Sequence, residues 1–324
     1  ILPSGLNKSI ITIEKPKDES FGELSTNVSM VLAKDAGIRP KDLAAKIVDI
    51  LKEDEMISSI GIAGPGFINF KLYKKIWIKL VKKILEDGEK FGFRNIGENK
   101  KVNIEFVSAN PTGPLHVGHT RGAIFGDVLA NLLSNVGFVV TREYYINDAG
   151  TQIDSLARSA HSRYQEALGK EYNATENEYP GDYLKTVGQK LKEEFGEKLI
   201  SVSDNNNLEK IKEYTVKIMI DEIKKDLSDL GVFMDSFVSE SSLYKDGKVQ
   251  EAIDYLTRLD LIYKGVLEKP KGSEDPDWVE REQDLFKSTM FGDDIDRPIK
   301  KIDGSWTYFA PDIAYHFDKI KRDY

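Results

Sequence analysis

Two histidines three residues apart, His116 and His119, have the residue type and spacing for chemistry on a phosphate group. Gly118 lies between them, and the turn before them contains proline and glycine. A helix that begins at such a turn directs unpaired backbone N–H groups and the positive end of its dipole at an anion. Imidazole N–H groups add donors where charge develops on a transferring phosphoryl group, and Gly118 lets a nucleotide approach the bare backbone. The pattern therefore predicts a phosphate site.

Two other interpretations stay open for the histidine pair taken alone. One is a metal site, although the helical zinc pattern places histidines four apart around a glutamate, and this sequence has no cysteine to complete a zinc set. The other is a pair of structural residues that cap a helix. Short motifs of this kind give many false positives, so the choice depends on the flanking residues.

The flanking segments predict a strand before the pair and a helix after it. Residues 102–107 form a short apolar run that indicates a strand. Past the pair, apolar residues recur at helical spacing: Ile124, Val128, Leu132 and Val136, widened by Ala123, Leu129 and Leu133. This stripe predicts an amphipathic helix that ends near Gly137, with the histidines in its first turn. A second strand follows before residue 150, and this order predicts the beginning of a parallel sheet.

The residues around the pair resemble a known family. Residues 109–119, Ala-Asn-Pro-Thr-Gly-Pro-Leu-His-Val-Gly-His, are similar to the signature of class I aminoacyl-tRNA synthetases. Further blocks resemble arginyl-tRNA synthetase in particular: Thr-Arg-Gly-Ala-Ile-Phe-Gly-Asp (120–127), Arg-Glu-Tyr-Tyr-Ile-Asn-Asp-Ala-Gly (142–150), Phe-Lys-Ser-Thr-Met-Phe-Gly-Asp-Asp (286–294), Trp-Thr-Tyr-Phe-Ala-Pro-Asp-Ile-Ala-Tyr-His (306–316), and nearer the start Gly-Glu-Leu-Ser-Thr-Asn (22–27) and Gly-Pro-Gly-Phe-Ile-Asn (64–69). The resemblance runs nearly end to end, which makes it far more specific than the histidine pair.

The resemblance implies an arginine–tRNA ligase. Arginine and ATP give arginyl-adenylate and pyrophosphate, and the arginyl group then passes to the terminal ribose of tRNA(Arg). In this scheme His116 and His119 are the catalytic residues, and together with Gly118 they bind ATP. ATP enters as a substrate complex with Mg²⁺, and we expect no protein-bound metal or organic cofactor.

A selective arginine pocket needs carboxylates, because a guanidinium is a planar, permanently charged fork of five donors. Tyr308 and Asp312 are four apart in a segment with a helical pattern from about Pro311, so they approach a common side. The resemblance implies that both contact the guanidinium and that Glu240 is a second carboxylate there. It also implies that three residues hold the amino and carboxylate groups of arginine: Glu105, Ser108 and Asn110.

The resemblance further implies an α/β fold in which a Rossmann-like parallel-sheet catalytic domain with a helical insertion follows a small α+β N-terminal domain. We place the N-terminal domain at residues 1–72 and the incomplete catalytic domain at 101–324, with the insertion at about 151–245. Residues 73–100 are expected to form a linker helix and connection, because lysines fall largely opposite apolar residues over 73–86.

The N-terminal domain is expected to touch the D-loop of the tRNA. Helices are predicted at 27–36 and 40–51, and a turn and strand at 60–72. By resemblance, Phe67 and Asn69 meet a D-loop base, and a ring for stacking with an amide for hydrogen bonding suits an unstacked RNA base. A packed Phe67 with Asn69 as a turn residue is the alternative.

Composition limits the remaining choices. The 324 residues are 40% hydrophobic and 31% charged, with no apolar run long enough to span a bilayer, so we expect a soluble protein. The absence of cysteine fits a reducing cytoplasm, and we expect a cytoplasmic monomer without a membrane partner. The formal net charge of −8 does not favour nucleic acid, so a tRNA must be met by local basic patches.

The resemblance also implies further segments after Tyr324, among them a helical anticodon-binding domain. We therefore expect this chain to be an N-terminal portion that is inactive by itself. Two alternatives remain: a synthetase-like module that binds tRNA without charging it, and another nucleotidyl transferase that uses the His-Val-Gly-His site.

Overall fold

The computed structural model describes residues 10–172, 179–201, 205–267 and 281–324. The chain forms two compact units, Ile1–Gly92 and Phe93–Tyr324. The N-terminal unit contains these elements in chain order: β1 (Ile13–Glu14), β2 (Leu24–Thr26), α1 (Val28–Ala36), α2 (Pro40–Leu51), β3 (Ile57–Ala63), β4 (Phe67–Leu72) and α3 (Lys74–Asp87).

The N-terminal unit is an antiparallel sheet, in the order β1-β2-β4-β3, packed against α1 and α2. Local signals fix both helices. Asn27 precedes α1, Gly37 ends it with a φ of 62° that suits glycine, and Pro40 begins α2 at a position where its missing N–H costs nothing. The two helices and the strand predicted for this region are confirmed, with β3 and β4 joined as a hairpin.

The C-terminal unit contains these elements: β5 (Lys101–Glu105), α4 (Val117–Asn135), β6 (Val139–Ile146), α5 (Thr151–Ala167), α6 (Tyr183–Phe195), α7 (Asn205–Asp229), β7 (Ser236–Ser239), α8 (Glu240–Lys245), α9 (Lys248–Arg258), β8 (Ile262–Val266), β9 (Glu282–Phe286), β10 (Arg297–Pro298) and α10 (Phe309–Lys321). None of the helices in the described part of the chain is both long and apolar enough to cross a membrane.

A parallel sheet in the order β5-β6-β7 carries the candidate site. Its strands all point the same way, so their carboxyl ends, at Glu105, Ile146 and Ser239, meet at one edge. Open α/β sheets bind ligands in the crevice outside this edge. The α/β fold with a parallel sheet is thus confirmed. The helices α5, α6 and α7 pack on one another around a separate apolar core, within the range predicted as the insertion.

The helix predicted after the histidines is confirmed as α4, which ends at Asn135, just before Gly137. Its buried face, however, is not the apolar stripe: Ala123, Gly126 and Ala130 are buried, while Ile124, Val128 and Leu132 are about half exposed. A Cβ on Gly126 would lie only 2.2 Å from the Phe106 ring. Small residues therefore face the sheet because α4 approaches it closely, and the apolar residues Ile124, Val128 and Leu132 of this helix point outwards.

Helix α10 is fastened to the sheet by a buried carboxylate. Glu143 on β6 is fully buried and accepts hydrogen bonds from the Tyr315 hydroxyl at 2.7 Å and from Arg322 Nη2 at 3.0 Å. Burial alone would raise the pKa of Glu143, but the hydrogen bonds from Arg322 and Tyr315 bring it below its ordinary value. Because α10 carries Asp312, this network positions one wall of the candidate pocket.

Candidate active site

The histidine pair is built into the first turn of α4. His116 is the N-cap, and its Nδ1 accepts the backbone N–H of Gly118 at 3.1 Å. The backbone N–H of His116 donates in turn to Nδ1 of His119 at 3.3 Å. Each side chain thus satisfies a backbone donor at the helix start, in the manner of a capping box. The cap interpretation and the phosphate interpretation are therefore compatible, since capping uses only Nδ1.

These hydrogen bonds also assign the imidazole protons. Because Nδ1 accepts in both rings, the proton of each neutral ring lies on Nε2, which is left as a donor. The rings of His116 and His119 are stacked, with centroids 3.7 Å apart and planes 18° apart. Burial and the neighbouring His116 lower the pKa of His119, which favours its neutral form at pH 7. The site therefore presents two aligned Nε2–H donors.

Gly118 has a second role that its place in the motif did not indicate. A Cβ at this position would lie 3.0 Å from Cε1 and 3.1 Å from Nδ1 of His116. A side chain would therefore crowd the ring that caps the helix. The predicted contact of Gly118 with a nucleotide stays a prediction, and the structure adds that a Cβ here would require the His116 ring to shift by a few tenths of an ångström.

The turn between β5 and the histidines is strained. Val107 and Ser108 have φ values of 67° and 41°, a region that non-glycine residues rarely adopt and that costs about 1–3 kcal/mol per residue. Neighbouring groups hold the turn: Tyr145 N–H donates to Ser108 Oγ at 3.0 Å, and Asn147 Nδ2 donates to the Ser108 carbonyl at 3.3 Å. The strain redirects the chain so that Ser108 lies at the carboxyl end of the sheet.

A cleft of about 590 Å³ brings the two histidines together with two of the predicted arginine-binding residues, Ser108 and Asn110, whereas Glu105, Glu240, Tyr308 and Asp312 lie outside its lining. Its lining includes His116, His119, Ser108 and Asn110 from the turn and helix start, and Tyr183 from α6. The Tyr183 hydroxyl donates to the Thr112 carbonyl, so the helical insertion supports the loop that bears the histidines. Asn110 donates to Gln152 at 2.9 Å, which fixes its amide at the cleft.

Glu105 continues the site from the cleft towards α10. One carboxylate oxygen accepts from the Ser108 hydroxyl at 3.1 Å, and the other accepts from Lys319 Nζ at 2.7 Å. The Lys319 ammonium also lies 4.0 Å from the centroid of the Tyr315 ring. Glu105 is therefore held from both sides in a fixed orientation, and each carboxylate oxygen keeps a lone pair for a further donor.

Glu240 and Asp312 form an acidic pair, and among the described residues neither of them makes a salt bridge like that of Glu105 with Lys319. Burial raises the pKa of Glu240 to about 7, with further contributions from the charges of Asp148 and Asp312. Burial also raises the pKa of Asp312, with Glu105 adding to it and His316 opposing it. Two carboxylates that resist ionisation together gain most from a ligand that brings a delocalised cation.

Two tyrosines near this pair differ in burial: Tyr145 is buried, whereas Tyr308 is exposed. The Tyr145 ring stacks on Tyr315 at 4.1 Å, and its buried hydroxyl has no hydrogen-bond partner among the described residues. Tyr308 lies just before α10, four residues ahead of Asp312 in the sequence. Its side chain is 76% exposed to solvent. The predicted contact of Tyr308 with a guanidinium stays a prediction.

The two residues predicted to meet RNA lie together in the N-terminal unit. Phe67 and Asn69 line a pocket of about 540 Å³, whose rim also contains Lys15 and Lys17. Asn69 is 7% exposed, and its Oδ1 has no hydrogen-bond partner among the described residues. Phe67 is half-buried. The pocket thus combines an aromatic ring and an unsatisfied amide oxygen with two ammonium groups that are matched by the carboxylates of Glu14 and Asp18.

Three contributing residues escaped sequence reasoning: Asp148, Tyr183 and Lys319. Asp148 lies within the family-like segment 142–150, and Lys319 follows Asp312 by seven residues, two turns along the same helix. Only that spacing could have suggested Lys319, since its partner is 214 residues away. Within the described residues, no group of three or more His, Asp or Glu side chains is arranged to hold a metal ion.

Comparison with known proteins agrees with this geometry. Residues 3–72 match the family described as arginyl tRNA synthetase N terminal domain, and residues 80–323 match tRNA synthetases class I (R), catalytic domain. Proteins named arginine–tRNA ligase from Jannaschia sp. (strain CCS1) and Cereibacter sphaeroides (strain ATCC 17029) are each 52% identical over the whole chain. The chain spans 56% of the length of each of these relatives.

Solved structures give the same result. An arginyl-tRNA synthetase structure from Campylobacter jejuni has a TM-score of 0.65 and 33% identity, over 78% of this chain and 52% of that one. The arginyl-tRNA synthetase of Thermus thermophilus shares the fold, with a TM-score of 0.63 at 20% identity over 95% of this chain and 49% of that one. Because the catalytic-domain family alone matches three quarters of the sequence, this chain belongs to the arginyl-tRNA synthetases of class I.

Proposed function

We propose that the protein containing this chain is an arginine–tRNA ligase that activates L-arginine with ATP and transfers it to tRNA(Arg). The observation that carries the proposal is the continuity of two chemically different sites at one sheet edge. A pair of imidazole donors, His116 and His119, lines a cleft together with Ser108, and Ser108 donates to Glu105. The charge of Glu105 acts on Asp312, so Glu105, Glu240 and Asp312 together make up an acidic pocket. A phosphate site joined to a cation site suits ATP and arginine side by side.

In the first step, an oxygen of the arginine carboxylate attacks the α-phosphorus of ATP, and the bond from that phosphorus to the bridging oxygen of pyrophosphate breaks. The Nε2–H groups of His116 and His119 donate to phosphate oxygens as charge moves onto the leaving group. The lowered pKa of His119 suits this role, because a neutral ring donates without holding the product pyrophosphate as tightly as a full cation. ATP enters with Mg²⁺ as part of the substrate complex, and Gly118 lies against the nucleotide.

In the acidic pocket, Glu240 and Asp312 receive the guanidinium, with Tyr308 covering it from the N-cap position just before α10. Glu105 receives the α-ammonium group, while Ser108 and Asn110 orient the amino and carboxylate end. The guanidinium has five donors in a fixed plane, so carboxylates on two elements, α8 and α10, match it better than they match the single ammonium of lysine. In the second step, the terminal ribose hydroxyl of the tRNA attacks the carbonyl carbon of arginyl-adenylate and releases AMP.

The N-terminal unit supplies a separate contact to the tRNA. A base from its D-loop stacks on Phe67 and donates to the free Oδ1 of Asn69, while Lys15 and Lys17 contact neighbouring phosphates. Glu14 and Asp18 line the same pocket, so the two lysines offset the local acidic charge at the place where the RNA backbone approaches. We further propose that the protein works as a cytoplasmic monomer.

The test is amino-acid-dependent ATP–pyrophosphate exchange by the full-length protein, with each of the twenty amino acids, in the presence and absence of total tRNA. Exchange with arginine and with no other amino acid is expected. Asp312→Asn should raise the KM for arginine by about a hundredfold, the equivalent of losing one charged partner, and leave the KM for ATP near its original value. His119→Ala should instead lower kcat by about a hundredfold.

Other outcomes would change the proposal in defined ways. Exchange with a different amino acid would retain the phosphate site and refute the arginine pocket. No exchange under any condition, combined with tight binding of tRNA, would identify a module that binds tRNA without charging it. An equal rise in the KM values for arginine and for ATP in Asp312→Asn would show that Asp312 supports folding rather than arginine binding.

A further inference from the structure

Asp148, in the loop after β6, holds the residues on both sides of Glu240. Its Oδ2 accepts from the Ser239 hydroxyl at 2.6 Å and from the Ser241 hydroxyl at 3.0 Å, and its Oδ1 accepts the backbone N–H of Ser241 at 2.8 Å. Hydrogen bonds to a carboxylate are about twice as strong as neutral ones. Three such bonds to the immediate neighbours of Glu240 restrict the backbone from which its side chain projects.

The elements around this contact explain its geometry. Ile146 of β6 pairs with Ser239, the last residue of β7, so the loop carrying Asp148 leaves the sheet beside the start of α8. The Ser239 hydroxyl also accepts the backbone N–H of Ser242 at 3.1 Å, which caps α8. Asp148 therefore fastens the capped end of α8 to β6, and Glu240 is the first residue of that helix.

We propose that Asp148 is a positioning residue for arginine recognition, which fixes where Glu240 presents its carboxylate to the guanidinium by clamping Ser239 and Ser241. This inference rests on the proposed function. Asp148 makes its three contacts to residues 239 and 241 and thereby acts through Glu240 on the ligand. A carboxylate that must meet a planar fork needs a fixed direction, because a displacement of about 1 Å can cost two orders of magnitude in rate.

The charge of Asp148 gives the clamp a second effect. The titratable groups facing Glu240 are Asp148 from the β6 loop, Asp312 from α10, Tyr244 from α8 and Tyr145 from β6. Tyr244 hydrogen-bonds to Glu240 and favours its ionised form, whereas burial, Asp148 and Asp312 oppose it. Removing the charge at residue 148 should therefore make Glu240 easier to ionise, an effect that a purely structural turn residue would not have.

The experiment compares Asp148→Asn with the wild-type full-length protein. Carbon-13 NMR of glutamate carboxyl groups, with Glu240 identified by comparison with Glu240→Gln, follows the titration of Glu240 in the absence of arginine. The titration midpoint should fall by about half a unit or more. In pyrophosphate exchange at pH 8, the KM for arginine should rise about tenfold, the equivalent of one charge-assisted hydrogen bond, with the KM for ATP unchanged.

Two further variants keep the result interpretable. Asp235→Asn is the matched control, because Asp235 accepts the backbone N–H of Arg142 at 2.8 Å beside the opposite end of β7. It should change neither the midpoint of Glu240 nor the KM for arginine. Ser241→Ala removes one hydroxyl donor and retains the charge of Asp148. It should raise the KM for arginine about threefold without lowering the midpoint of Glu240, even if Asp148→Asn folds poorly.

The inference is overturned if the midpoint of Glu240 is unchanged in Asp148→Asn, or if the KM values for arginine and ATP rise together. An unaffected KM for arginine in Ser241→Ala would also contradict the clamp. Failure of the proposed function would look different, because the wild-type protein would then show no exchange with arginine. The titration of Glu240 would still report whether Asp148 controls it, since that measurement needs no substrate.

Discussion

Arginine binding should depend on pH through Glu240. Burial, together with Asp148 and Asp312, raises the pKa of this carboxyl to about 7 in the absence of a bound cation. A guanidinium attracts the ionised form and gains little from the protonated form. The proton on Glu240 must therefore leave when arginine binds, and the affinity for arginine is linked to pH.

The size of the effect follows from that pKa. If only the ionised form of Glu240 binds, the apparent Kd increases by a factor of one plus ten to the power of the pKa minus the pH. For a pKa of about 7, this factor is about 11 at pH 6, about 2 at pH 7 and about 1.1 at pH 8. Arginine should thus bind about tenfold more weakly at pH 6 than at pH 8, a difference of about 1.4 kcal/mol.

The same shift has the opposite consequence for folding. Glu240 has a higher pKa in the folded protein than in the unfolded chain, so its stabilising contribution is complete below the unfolded value of 4.5 and declines as the pH rises through about 7. Without arginine, the protein should therefore lose stability as Glu240 ionises. Bound arginine should restore it, and the increase in Tm on adding arginine should be larger at pH 8 than at pH 6.

The assay is isothermal titration calorimetry of arginine into the full-length protein without ATP at pH 6, 7 and 8. Two buffers of different ionisation enthalpy report proton release, which should be about 0.9 per arginine at pH 6 and about 0.5 at pH 7. Glu240→Gln should remove the slope. Glu213→Gln, an exposed carboxyl on α7 that pairs with Lys245, is the matched control and should retain it.

The reasoning is refuted if the Kd of the wild-type protein is the same at pH 6 and pH 8. It is equally refuted if Glu240→Gln keeps the pH dependence, because another group would then carry the proton. His119 is one such group, since burial lowers its pKa below the ordinary value for histidine. A pH dependence that vanished in His119→Ala would move the effect from the acidic pocket to the phosphate site.

Three other outcomes are expected. Gly118→Ala should lower the kcat of pyrophosphate exchange at least about tenfold while the KM for arginine stays unchanged, because a Cβ would displace the His116 ring; an unchanged kcat would contradict this. Phe67→Ala should raise the KM for tRNA about tenfold and leave arginine-dependent exchange unaffected, since a stacked base contributes about 1–3 kcal/mol; equal aminoacylation kinetics would remove Phe67 from the interface. Arg322→Met should lower the free energy of unfolding by about 2–4 kcal/mol, because it leaves the buried Glu143 with fewer partners, and urea unfolding at pH 7 measures this loss.

Features that depend on neighbouring residues could be predicted from the sequence. Helices α1 and α2 begin and end where Asn27, Gly37 and Pro40 indicate, because caps and proline act within one turn of the backbone. The histidines are in the first turn of a helix after a strand for the same reason. The family could also be recognised, because its sequence blocks are local and occur in a fixed order.

The buried face of α4 could not be predicted from its sequence. The apolar stripe through Ile124, Val128 and Leu132 correctly indicated a helix, but hydrophobic periodicity does not state how close the neighbouring sheet lies. Gly126 and the Phe106 ring set that distance, and only residues without bulk fit there. The spacing of the apolar residues thus indicated that α4 is a helix, and packing against the sheet decided which face of α4 is buried.

The sequence by itself determined the helix starts and the paired imidazoles, because these depend on residue type and short spacing. The roles of the carboxylates Glu105, Glu240 and Asp312 stay a prediction from the family resemblance. The tertiary structure decided how those groups behave. Lys319 reaches Glu105 across 214 positions and Arg322 reaches Glu143 across 179, so their charges are matched only after folding. Glu240 gains its raised pKa in the same way, from burial beside Asp148 and Asp312. Desolvation and Coulomb interactions depend on distance in space, and residues far apart in the chain acquire that distance only in the folded protein.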